Sequence, residues 1–169
     1  SQVVAVSRDG TISVADEFFA RVAITGALLG SRARLFPDPP PQVNDLLALG
    51  DDVTIVQAMI PVRGGAHAFH IVDGTGSIVR GFGAGTNVVY LEGFGATRRR
   101  LAQATSESFW SVPPNTYELT HWDTTGTIRQ HLMVASAWFR AWDERLPAPD
   151  LRTQRWPSVI QGITVDSLG

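Results

Sequence analysis

An all-β fold of repeated four-stranded antiparallel units is predicted by three observations. The only Thr-Gly pairs among the 169 residues are Thr25 with Gly26, Thr75 with Gly76 and Thr125 with Gly126, and they stand 50 residues apart each time. Short runs rich in Val, Ile, Thr, Phe and Trp flank each pair, the composition that pleated strands favour. A helical period is confined to residues 135–145, so strand structure meets no competitor over most of the chain. Identical turn chemistry at a fixed interval marks an internal repeat.

The elements follow in order. In the first unit residues 3–6, 11–14, 21–24 and 27–29 read as strands, turned at Asp9 and Gly10 and again at Thr25 and Gly26. The second unit takes residues 45–49, 53–56, 66–72 and 77–80, and the third takes 101–104, 108–112, 117–122 and 127–130. Asp73 and Asp123 open the later turns, where a carboxylate can bond the turn backbone and Gly76 or Gly126 can take a positive φ. The repeats therefore span about 3–33, 44–83 and 99–132 of a single domain, and another unit starts within 158–169. The glycine-rich run from Gly81 to Gly85 reads as a flexible connection, because no helix follows to aim amides at a phosphate.

Composition bounds the function. With 44% hydrophobic residues, eight Phe and five Trp, the chain can bury a real core, which excludes disorder as its main state. Fourteen basic against 16 acidic side chains leave a net charge of −2. Arg98, Arg99 and Arg100 form the only basic run, so no field collects nucleic acid or anionic membrane. No apolar stretch approaches the roughly 20 residues of a membrane span. Without Cys there are no disulfides, thiolate zinc sites or cysteine nucleophiles. No signal peptide opens the chain, and because a removed leader leaves no trace, an extracytoplasmic location stays open.

Four antiparallel strands every 40 to 50 residues or so are the signature of a β-propeller blade. Blades stack face to face, which accounts for the weak polar alternation of residues 53–56, whereas a β-sandwich gives no reason for a fixed interval. The segment from Gly10 to Asp16, followed by Arg21 and Val22, resembles the blade motif of NHL-type propellers, in which an Asp at one strand end meets an Arg on the next. Residues 117–123 with Gly126, then Trp138 and Phe139, then residues 157–160 with Asp166, resemble six-bladed β-propeller proteins found in many bacteria. Six blades of about 50 residues would take about 300, so the 169 residues read as roughly half a ring, to be closed by further blades or a second chain.

The resemblance admits two functions, because propellers host lactonases, lyases and inert binding modules alike. The preferred reading is a non-catalytic module that binds a small molecule or protein through inter-blade loops. Its binding residues are Trp138, Phe139 and Trp142, in a long inter-blade segment, together with His121. The alternative is a metal-assisted lactonase or lyase at the channel mouth. Resemblance to propeller lactonases implies oxygen ligands from several blades there, and the matching strand ends offer Asp16, Gln57 and Asn115. No motif implies a cofactor, and Ca²⁺ or another divalent cation is what this oxygen set would take. No Gly-x-Ser-x-Gly elbow is present, and no catalytic constellation stands out. His67 and His70 lie three apart, which strand alternation places on opposite faces.

Overall fold

Strands dominate because β-branched and aromatic runs alternate with tight polar turns, and the computed structural model describes twelve of them. It describes residues 2–6, 12–16, 21–25, 31–33, 43–50, 53–62, 65–73, 78–84, 99–114, 116–139 and 160–166. Sheet A comprises β1 (Gln2–Val6), β2 (Ile12–Asp16), β3 (Arg21–Thr25) and β4 (Ser31–Ala33). Sheet B comprises β5 (Val43–Leu49), β6 (Val53–Val62), β7 (Gly65–Val72) and β8 (Ile78–Ala84). Sheet C comprises β9 (Arg100–Thr105), β10 (Ser108–Val112), β11 (Glu118–Asp123) and β12 (Ile128–Met133). Each sheet is an antiparallel meander in chain order, and no helix occurs among the described residues. None is therefore long and apolar enough there to cross a membrane.

The first strands lie innermost, with β5 packed between β1 and β9. Sheets B and C bury a common core of Leu49, Ile55, Phe69, Ile71, Phe82, Leu101 and Phe109, against which Trp122 packs. Its centre is aromatic. Phe69 meets Phe109 edge-on at 5.4 Å and Trp122 at 5.4 Å, while Phe82 meets the same two rings at 6.2 and 5.8 Å. The spacing suits edge-to-face and tilted aromatic contacts, so these four rings join the blades by burial and quadrupole geometry together.

Two turns show why particular residues stand where they do. Thr105 Oγ1 accepts the Glu107 amide at 3.1 Å and lies 2.8 Å from Ser108 Oγ, which closes the β9–β10 hairpin. At the β11–β12 turn Gly126 has φ of 88°, as the repeat predicts, and a Cβ there would come within 2.7 Å of Phe82 Cβ on the neighbouring sheet. Glycine therefore serves both the turn and the packing. The matching Gly76 lies outside the described residues.

Some elements depart from the sequence expectation. β6 continues to Val62 through Pro61, tolerated because the β5 ladder ends at the Val43–Ala58 pair and leaves that side of β6 without a strand neighbour among the described residues. β8 runs to Ala84 and absorbs Gly81 and Gly83, which were expected in a flexible connection. Gly83 has φ of 70°, and a Cβ on it would strike the Phe69 ring, so glycine here marks close approach within a strand. The described fourth strand of sheet A is β4 at Ser31–Ala33, and residues 27–29 lie outside the described residues. Residues 160–166, the expected first strand of a further unit, belong to no sheet, and Ile160 donates its amide to the Pro114 carbonyl at 2.8 Å. The turn segment 134–139 is not helical, and residues 140–145 lie outside those described.

Candidate functional site

The meander sends the β6–β7 and β10–β11 connections to one end of the blades, along with the starts of β5 and β9 and the ends of β8 and β12. An aromatic cluster forms at that end of sheet C. Val134 donates its amide to the Tyr117 carbonyl at 2.9 Å, extending the β11–β12 ladder by one pair. A turn follows in which Phe139 N donates to Ser136 O at 3.3 Å, and this returns Trp138 and Phe139 onto Tyr117. The Tyr117 ring lies 5.7 Å from Trp138 and 5.3 Å from Phe139, and Trp138 meets Phe139 edge-on at 5.8 Å. Trp138 is nevertheless 69% exposed, and Met133 at the end of β12 is 76% exposed. Two of the three aromatic residues singled out in sequence thus come together with Tyr117, while Trp142 lies outside the described residues.

His121 sits elsewhere, on the face of sheet C that points away from Phe109 and Trp122. It stands opposite Trp110 in the β10–β11 register, and the two rings stack at 4.7 Å and 16°. Its Nε2 is buried and has no hydrogen-bond partner among the described residues. Trp122, in contrast, turns into the core and donates Nε1 to Ser111 Oγ at 3.0 Å.

The oxygen residues are dispersed in role. Gln57 is fully buried on β6, where its Oε1 accepts the Arg99 amide at 3.4 Å. Asp16 stands at the end of β2 opposite Arg21 of β3. Asn115 lies outside the described residues. Among the described residues no three of His, Cys, Asp and Glu gather as a metal would need.

Asp45, which carries no sequence motif, does more to unite the blades. Its Oδ1 accepts the Leu46 amide and its Oδ2 the Leu101 amide, each at 3.0 Å, so one carboxylate ties β5 to β9. Burial pushes its pKa up, against the two amide hydrogen bonds and nearby Arg100, which pull it down. Burial likewise pulls the Arg99 guanidinium down, opposed by Glu118. A second tie runs from Arg80 Nη1 to the Thr125 carbonyl at 3.0 Å, linking sheet B to the β11–β12 turn.

These blades define a β-propeller fold. Among solved structures the chain is similar to selenomethionine-substituted virginiamycin B lyase from Staphylococcus aureus, with a TM-score of 0.55 and 12% identity. That match covers 79% of this chain and 41% of the lyase chain, so the present chain spans well under half of that length. It is also similar to apo AztD from Citrobacter koseri, with a TM-score of 0.36, 14% identity, and coverage of 78% and 46%. Neither a family model nor a curated protein matches.

Proposed function

We propose that the chain is a non-catalytic β-propeller module of the NHL-like, six-bladed kind, binding a small molecule or protein at the connection end of its blades. The observation that supports this is the exposure of Trp138, held at fixed angles by Tyr117 and Phe139. An exposed indole costs little further ordering when a ligand stacks on it, because its neighbours already restrict it. A metal-assisted lactonase or lyase is the second reading, and the lyase activity named for the similar staphylococcal protein is what favours it. It would need Asp16, Gln57 and Asn115 to converge, whereas the Gln57 oxygen already accepts the Arg99 amide.

The two readings separate by experiment. A panel of saccharides and planar aromatic compounds is screened by thermal shift against the parent chain and Trp138→Ala. Binding that disappears in Trp138→Ala, with circular dichroism unchanged, supports the module. Ligands that stabilise both chains equally remove Trp138 from the site. Stoichiometric Ca²⁺ in the purified protein, lost in Asp16→Ala, would favour the enzyme.

A further inference from the structure

Strand alternation separates residues three apart, yet His67 and His70 on β7 have ring centroids only 6.3 Å apart. A bulge in the neighbouring strand accompanies this. The β6–β7 register shifts between Gln57 and Ile60, which drops Ala58 and Met59 from the ladder and sharpens the local twist. Ala58 then has a carbonyl oxygen to offer a side chain, and His70 Nε2 lies 3.1 Å from it and 3.2 Å from the His67 carbonyl. Both of those oxygens can only accept, so Nε2 carries the proton and Nδ1 keeps its lone pair.

That lone pair has a neighbour. Gly81 stands opposite His70 in the β7–β8 register. A Cβ on it would collide with His67 Nδ1 and come within 3.1 Å of His70 Nδ1, so both nitrogens pack against the same glycine. Only glycine at 81 lets the His67 ring approach the strand this closely. His70 is only 2% exposed, so its ring is held in place by its surroundings.

We propose that His67 Nδ1 and His70 Nδ1, meeting over Gly81, form a two-histidine site for a borderline transition-metal ion such as Zn²⁺ or Cu²⁺. Imidazole nitrogen suits these ions and not Ca²⁺, which takes oxygen. The hydrogen bond from His70 Nε2 to a backbone carbonyl is the outer-shell arrangement that orients metal-bound histidines and raises their basicity. No third His, Cys, Asp or Glu joins the pair among the described residues, so the two imidazoles are the side-chain ligands this site offers. The pair lies on sheet B, whereas the Trp138 cluster is built on sheet C.

The test uses the full chain without a histidine tag, stripped by chelator and dialysed against Zn²⁺ or Cu²⁺ alone. Saturable uptake of one equivalent is expected, with affinity falling at least tenfold in His67→Ala and in Gly81→Ala. A cooperative melt for either variant shows that loss of metal is not loss of fold. His131→Ala should bind as the parent does. The Cu²⁺-loaded parent should show electron paramagnetic resonance coupling to two imidazole nitrogens. Absence of saturable uptake, uptake unchanged in His67→Ala, or coupling to a single nitrogen would overturn the proposal.

Discussion

Asp123 shows how one carboxylate can hold a turn. Its Oδ1 accepts the amides of Thr125 and Thr127, each at 2.9 Å, and the Thr125 hydroxyl at 2.5 Å, while Oδ2 meets Arg129 at 2.6 Å. The Thr125 hydroxyl leads the set of donors that hold its pKa down from the ordinary 3.8 to about 2, against burial. A depressed carboxylate stabilises the fold fully above the unfolded value and loses that effect as pH falls through the folded one. In Asp123→Asn the amide oxygen can still accept at the turn, but the charge is gone. The melting temperature of Asp123→Asn should therefore lie below that of the parent at neutral pH, with the gap closing between about pH 4 and about pH 2. A gap that persists unchanged at pH 2 would mean that the charge is not what stabilises the turn.

At the scale of elements, glycine and inter-blade ties set the energetics. Gly50 and Gly126 both hold positive φ, at 66° and 88°, but a Cβ on Gly50 would meet nothing within 4 Å. Replacing either with Ala should cost roughly 1–2 kcal/mol for the left-handed backbone. Gly126→Ala should cost about 1–3 kcal/mol more, because the methyl must displace Phe82 from the core. Urea denaturation of the two variants measures the difference, and equal midpoints would refute the packing argument. Asp45→Ala leaves the Leu101 amide without its acceptor at the β5–β9 contact, so about 1–3 kcal/mol should be lost in the same assay. The turn glycine was legible in sequence because its repeat and its Asp neighbour report a local conformation. Asp45 was not, because its role depends on a residue 56 positions away that only blade stacking brings near. The meeting of His67 and His70 was hidden for a related reason: alternation along one strand separates residues three apart, and only the paired sheet brings their rings to 6.3 Å.

Across the whole molecule, the repeat made the blade architecture readable, since each unit obeys the same local rules, but it said little about the faces that no blade covers. The contact between sheets B and C shows what a covered face looks like, with Phe69, Phe82, Phe109 and Trp122 interleaved. Every residue of β12 is instead exposed, Ile128 and Leu132 included, and at the other end of the stack Val4 and Val6 of β1 are exposed as well. Apolar side chains on an unpaired edge strand favour association. The two ends present different surfaces, so the contact between copies would be head to tail, as successive blades are. The chain should therefore self-associate, and light scattering coupled to size exclusion should give a mass above 18.3 kDa that rises with concentration. Leu132→Glu and Met133→Lys together should shift that mass towards the monomer while leaving the B–C core and its melt intact. A parent chain that stays at 18.3 kDa across the concentration range and melts cooperatively would show that these edges are stable in water without a partner.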